Sequence, residues 1–179
     1  MSKSCTNEEI ALLERARSYA NHYIWALHLQ KRRILTSEPE DSDFIFRHLA
    51  DVRFFIVALR RLRRATETAT KVNSVSKDLK IALAKFDQKL KFTKAWRDVE
   101  EHIDDYLTSN LERHLKDVKS AELQVFSMDT QNGEMEYLGK NLNIDEAFQE
   151  AVKLFEQLKS ITSREFAVYR TQDELSHLE

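Results

Sequence analysis

Apolar residues in the first half of the chain recur every three or four positions, the spacing of one face of an α-helix. A capping-box pattern at 6–9 predicts a first helix that ends near residue 35. A polar loop at 36–43 precedes a second predicted helix over about 43–70. After a polar stretch at 71–76, a third, shorter helix is expected to end near residue 90, and a fourth covers about 93–115.

The period changes to two near Leu123, which is typical of a β-strand. Asn132-Gly133 then predicts a tight hairpin turn with positive φ. A last main helix is expected over 143–158, while for 162–179 the pattern leaves a docked tail and a short helix both open. The sequence therefore predicts a mainly α protein, an antiparallel helical bundle with a small β-hairpin before the last main helix.

The length of 179 residues fits a single helical domain over 1–179, large enough to bury a core without disulfides or metal. We expect residues 1–5 to be disordered. We read 160–179 as a tail, with Leu178-Glu179 a candidate cloning remnant. The single cysteine, Cys5, excludes an internal disulfide and is interpreted as an incidental thiol.

Composition excludes several classes of function. The two glycines lie in no phosphate-cradling motif, so Rossmann, P-loop and kinase-like nucleotide sites are not expected. No apolar run is long enough to span a membrane and no signal peptide is visible, so we expect a cytoplasmic protein with no membrane partner. The net charge is −2, and any RNA site must therefore be a local basic patch.

The strongest candidate chemistry lies in the fourth helix, where Arg97 and Asp98 precede His102. A guanidinium binds phosphate oxygens and an imidazole transfers protons near neutral pH, so the pair could cleave RNA without a metal or other cofactor. Arg17 and His22 share the spacing, but of these two arginines only Arg97 is followed directly by Asp, Asn or His. Arg97, Asp98 and His102 are therefore our catalytic candidates.

Helical geometry sets Asp98 one turn from His102, where it can orient the imidazole, but puts Arg97 about 140° around the helix. A second chain or a neighbouring helix must therefore complete the site. We expect a symmetric homodimer across this helix, with Trp96 and Tyr106 offering an aromatic edge.

The arginine, the polar residue after it and the histidine resemble the motif of the HEPN family (higher eukaryotes and prokaryotes nucleotide-binding), and a looser likeness covers about 43–158. The resemblance implies a helical bundle and a dimeric, metal-independent endoribonuclease. Its products would carry 2′,3′-cyclic phosphate and 5′-hydroxyl ends. Several members serve in toxin–antitoxin or antiviral systems, which implies a protein antitoxin as a partner, and others are inactive.

Four arginines in the second helix cannot all face one direction, because they wrap most of one turn. Arg60 and Arg64, one turn apart, are our candidates for RNA binding, whereas Arg61 and Arg63 are expected to matter less. Five carboxylates crowd His102 and would repel RNA, and the arginines could pair with them instead: Asp98, Glu100, Glu101, Asp104 and Asp105. A catalytically inactive helical interaction module therefore remains an alternative.

One further pattern in this helix is that of a metal site. Asp98, Glu101, His102 and Asp105 have the spacing of one arm of a carboxylate metal centre. A centre of this kind needs a second arm on another helix, and one arm alone does not define it. We therefore assign no metal ligands.

Overall fold

A computed structural model describes residues 5–36, 44–101 and 126–176 of the chain. Over these ranges the chain is mainly helical, with a small antiparallel sheet before the last helix, which confirms the expected fold class. The elements in chain order are α1 (Asn7–Leu35), α2 (Phe44–Ala69), α3 (Asn73–Lys89), α4 (Thr93–Glu101), β1 (Phe126–Asp129), β2 (Glu134–Tyr137), β3 (Lys140–Asn143) and α5 (Ile144–Ser176).

The predicted helix starts are explained by side-chain caps. At α1, the Thr6 backbone N–H donates to Glu9 Oε2 at 2.9 Å, and the Glu9 N–H donates to Thr6 Oγ1 at 3.2 Å. At α5, the Glu146 N–H donates to Asn143 Oδ1 at 3.0 Å. Each cap satisfies backbone donors that have no partner within the helix, so the first turn is stabilised.

The small sheet has the order β1-β2-β3, one strand more than the predicted hairpin. Gly133 has a φ of 65°, as the Asn-Gly pattern predicted. The third strand is not predicted because its turn is formed by Leu138 and Gly139, both at positive φ (53° and 64°). Leucine rarely adopts this conformation, so the dipeptide gives no turn signal, whereas the structure buries the Leu138 side chain.

Two helices are longer than predicted. Helix α3 begins at Asn73, before Ser76, because Val75 lies one turn before Leu79 and both side chains are buried. Helix α5 continues to Ser176, so the open question of the tail is answered as helix up to that residue. The predicted loop at 37–43, the predicted part of the fourth helix after residue 101 and the predicted strand at 123–125 lie outside the described residues.

The chain divides into two compact units. The first comprises the described residues of Met1–Trp25, Arg61–Lys89 and Glu150–Glu179. Its core is built from the inward stripes of its helical segments. The largest fully buried side chains there are those of Leu13, Leu62, Leu79, Phe86, Leu154 and Leu158.

The second unit comprises the described residues of Ala26–Arg60 and Leu90–Gln149, and it contains the sheet. The inward residues of β2 and β3, Met135, Tyr137 and Leu142, are buried. The start of α5 is tied to the sheet, since the Ile144 N–H donates to the Gly133 carbonyl at 2.8 Å. The largest fully buried side chains of this unit are those of Leu27, Ile34, Phe55, Leu59, Trp96 and Ile144.

Candidate functional site

Helix α4, which carries Arg97 and Asp98, is anchored by Trp96. The indole is 1% exposed and contacts the Phe92 ring (centroids 4.9 Å apart) and the Tyr137 ring (5.7 Å). Val99 is also fully buried. The structure therefore makes Trp96 a packing anchor, which the sequence also allows, and not an edge open to a second chain, because Phe92 and Tyr137 of β2 cover its ring.

Arg97 follows this anchor and lies at the border between the interior and solvent. Its guanidinium forms an ion pair with the carboxylate of Asp98, and the two side chains retain only 19% and 29% of their accessible surface. The sequence predicts that Asp98 orients His102. Among the described residues the partner of Asp98 is Arg97. His102 lies outside the described residues, as do Asp104, Asp105 and Tyr106.

The arginines of α2 differ in their surroundings. Arg60 is half-buried, whereas Arg61 and Arg64 are exposed. Arg64 lines an open groove between α1 and α2 in the first unit, and Arg61 lines the same groove. The sequence predicts that Arg61 matters less for RNA binding than Arg64, but the structure places both side chains in the same groove.

Arg63 has a structural role. Its guanidinium donates to both carboxylate oxygens of Asp87 and also pairs with Glu67 at 2.8 Å. Hydrogen bonding to Asp87 raises the pKa of Arg63, with Glu67 contributing to the same shift. The sequence argument that some of these arginines serve structure holds for this side chain.

The second unit contains a buried polar cluster to which the sequence assigns no function. Asp51 is 3% exposed and accepts a hydrogen bond from Arg33 Nε at 2.8 Å. His48, also 3% exposed, lies one turn earlier on α2, with Nε2 3.3 Å from the Thr36 carbonyl oxygen. The sequence feature that could have indicated this cluster is the i, i+3 spacing of His48 and Asp51 inside the apolar stripe of α2.

The thiol of Cys5 is held rather than free at the chain end. Its sulfur lies 3.3 Å from Ser74 Oγ and donates to Glu165 Oε2 at 3.3 Å. Burial raises the pKa of the Cys5 thiol, and the nearby Glu165 carboxylate raises it further. The thiolate is therefore disfavoured.

The described residues offer neither a metal site nor a membrane span. Within 5–36, 44–101 and 126–176, no group of three or more His, Cys, Asp or Glu side chains is arranged to hold a metal ion. None of the helices in these ranges combines the length and the apolar character needed to cross a membrane.

Comparison of the chain with protein-family models, with curated proteins and with solved structures finds no match. The resemblance to the HEPN family therefore stays a prediction that rests on Arg97, Asp98 and His102.

Proposed function

We propose that the chain is a metal-independent endoribonuclease in which Arg97 and His102 act on the phosphodiester. The supporting observation is the way in which Arg97 is held. Buried Trp96 fixes α4, and the Asp98 carboxylate restrains the guanidinium next to it. A cation with little remaining freedom, five positions before a histidine in the sequence, suits the stabilisation of charge on a phosphate.

In the proposed reaction the imidazole of His102 removes the proton from the ribose 2′-hydroxyl. The 2′-oxygen forms a bond to phosphorus, the bond from phosphorus to the 5′-oxygen breaks, and a protonated imidazole supplies the proton that the leaving oxygen takes. Arg97 stabilises the charge on the phosphorane-like transition state. The products are a 2′,3′-cyclic phosphate and a 5′-hydroxyl, and DNA is inert because it lacks the attacking hydroxyl.

Asp98 takes a positioning role through Arg97 in this proposal. A guanidinium has five N–H donors, so it can keep its bond to one Asp98 oxygen and still donate to a phosphate. The carboxylate lowers the net charge offered to RNA, which makes the site weak in the ground state. Binding energy must then come from a second basic surface.

The biological setting follows from the resemblance. We propose a homodimer, because arginine and histidine from two chains would complete a site that a single helix holds poorly. We propose a cytoplasmic role in a toxin–antitoxin or defence system, with a protein antitoxin as the partner that restrains the nuclease.

The test is cleavage of single-stranded RNA in the presence of EDTA. Arg97→Ala and His102→Ala should each lower the rate by at least about 100-fold. The matched controls are Arg32→Ala and His28→Ala, an exposed arginine and an exposed histidine of α1, which should retain the wild-type rate. Equal rates for all five proteins would assign the cleavage to a contaminant and contradict the proposal.

A second candidate function, the catalytically inactive interaction module, is favoured by an exposed apolar pair on α2. Phe46 and Phe54 are 70% and 62% exposed and lie about two turns apart on neighbouring sides of the helix. A contiguous patch of exposed apolar side chains is typical of a contact surface, and the two rings would belong to such a patch. Absence of RNA cleavage, together with loss of a partner complex in Phe46→Ser/Phe54→Ser, would favour this module.

A further inference from the structure

The first unit contains a groove that is lined by several arginine and tyrosine side chains. It lies between α1 and α2 and has a volume of about 490 Å³, within the roughly 300–1,000 Å³ typical of ligand sites. Three of its lining residues are arginines and two are tyrosines. The full lining is Leu12, Arg15, Ala16, Tyr19, Tyr23, Arg61, Arg64, Ala65 and Thr68.

The shape of the groove follows from the sequence pattern. Arg15, Tyr19 and Tyr23 lie at i, i+4 and i+8 on α1, so they form one stripe along the groove. Ala16 and Ala65, which face it from the two helices, are buried and end in a single methyl group. Short side chains at the base and long side chains at the rims leave an elongated trough.

The charge of the groove is not compensated by the described residues. Across the part of the chain that the structure describes, no guanidinium group of Arg15, Arg61 or Arg64 forms an ion pair or a hydrogen bond. The described lining of the groove contains no carboxylate. The neighbouring Arg63, by contrast, is fully engaged by Asp87 and Glu67. Three solvated guanidinium groups around one trough make it a local site for a polyanion in a chain of net charge −2.

The tyrosines decide which polyanion fits. Tyr19 is 57% exposed, so more than half of this side chain is accessible to a ligand, and its ring packs against that of His22 in a T-shaped pair with centroids 6.5 Å apart. Aromatic faces beside a basic track are the features on which unpaired bases stack while the phosphates are neutralised. A duplex offers no base faces, and an acidic peptide offers charge without rings.

We propose that this arginine–tyrosine groove binds single-stranded RNA, with Arg15, Arg61 and Arg64 on the phosphates and Tyr19 stacked on a base. The inference deepens the proposed nuclease function, on which it rests for its biological meaning, by naming the surface that takes up the substrate. It adds Arg15, Tyr19 and Arg61 to the earlier candidate Arg64, and it needs no contribution from Arg60.

The probe is a fluorescein-labelled oligouridylate of about 12 nucleotides, long enough for one binding track, with 2′-O-methyl groups on every ribose. The methyl groups block the attacking hydroxyl, so anisotropy reports binding whether or not the protein cleaves RNA. Arg61→Gln/Arg64→Gln should weaken binding by at least about tenfold and reduce the salt slope by about 0.7 for each phosphate that is no longer neutralised. The control Lys80→Gln/Lys85→Gln removes two exposed positive charges of α3 and should change both by less than about twofold.

The stacking role is tested at one side chain. Tyr19→Ala should weaken binding by about tenfold, whereas Tyr19→Phe, which keeps the ring, should bind as the wild type does. Phe46→Ala removes an exposed aromatic ring of the other unit and should have no effect. Melting temperatures of all variants verify that these exposed positions leave the fold intact.

Three results would overturn the proposal: no binding of the oligouridylate, equal weakening by the two double variants, or arginine-dependent binding of polyglutamate together with a neutral Tyr19→Ala. The last would assign the groove to an acidic protein segment. His102→Ala should bind the probe like wild type. Wild-type protein that binds the probe but leaves ordinary RNA uncut would defeat the proposed nuclease and leave the groove standing.

Discussion

Arg63 of α2 and Asp87 of α3 are joined by a paired set of hydrogen bonds. Arg63 Nε lies 2.8 Å from Asp87 Oδ1 and 3.0 Å from Oδ2, and Nη2 lies 2.8 Å from Oδ2. The arginine side chain keeps only 18% of its accessible surface. This fork geometry holds the two helices in register, so Arg63 belongs to the architecture while its neighbours Arg61 and Arg64 remain available to a ligand.

Replacement of the paired Arg63 should lower the stability of the fold more than replacement of the exposed Arg61. Arg63→Met should lower the free energy of unfolding by about 1.5–3 kcal/mol, since it removes the charged hydrogen bonds that Arg63 donates to the Asp87 carboxylate. Arg61→Met, at an exposed position, should change it by less than about 0.5 kcal/mol. Urea unfolding checks both. Similar losses of unfolding free energy in the two variants would mean that Arg61 also stabilises the fold.

The parts of the fold that sequence predicted are those set by local rules. Thr6 and Asn143 could be read as caps, and the apolar stripes of α1 and α2 gave their bounds. The Leu138-Gly139 turn could not be predicted, because burial of the leucine side chain offsets an unfavourable φ, and burial is a tertiary property.

The same division applies to the candidate sites. The spacing of Arg97, Asp98 and His102 is visible in the sequence, but the pairing of Asp98 with Arg97 depends on how far each side chain reaches. The sequence predicts a lesser role for Arg61, because helix geometry alone cannot tell which side of α2 meets α1. The groove becomes visible only when Tyr19 of α1 is set beside it.

Removal of Arg33 from its ion pair with Asp51 should destabilise the fold more than removal of Asp51. The side chain of Asp51 is 4% exposed, whereas that of Arg33 is 49% exposed. Arg33→Met leaves a buried carboxylate unpaired and should cost about 3–5 kcal/mol. Asp51→Leu leaves an arginine that water can solvate and should cost less. The double variant should recover most of the loss, and a double-variant cycle in urea that shows no coupling would contradict this account.

The hairpin turn at Gly133 combines a backbone requirement with crowding. Its φ is 65°, and a Cβ there would lie 3.3 Å from a methyl carbon of Leu35. Gly133→Ala should therefore cost about 1–2 kcal/mol or more. Gly133→Asn should cost less, because asparagine tolerates the left-handed conformation. If the two variants lose the same stability and Leu35→Ala restores it, crowding rather than φ is the cause.

The raised pKa of Cys5 predicts a pH dependence of stability with a definite sign. A thiol whose pKa is higher in the folded state favours the folded chain while it is protonated. Its contribution is complete below the unfolded value, about 8.5, and is lost as pH rises through the folded value. Urea midpoints should therefore fall with rising alkaline pH more steeply in wild type than in Cys5→Ser.

Alkylation gives an independent measurement of the same thiol. Iodoacetamide should modify native Cys5 more slowly than the unfolded chain at the same pH, because only the thiolate reacts. Glu165→Gln should speed the reaction, since it removes a nearby negative charge that raises the pKa. The exposed Glu156→Gln serves as the control and should leave the rate unchanged. Identical rates for the two variants would exclude Glu165 as a cause.

The composite catalytic site makes activity depend on association. Arg97 is tied to Asp98 and lies about 140° around an ideal helix from the position of His102, so one chain should hold the pair too poorly for efficient cleavage. A stable dimer should bury at least about 1,000 Å² in total, and light scattering should give twice the protomer mass. On dilution, RNA cleavage per protomer should fall in step with the dimer fraction. Constant specific activity through the dissociation range would show that each chain carries a complete site, and would contradict the shared cleft.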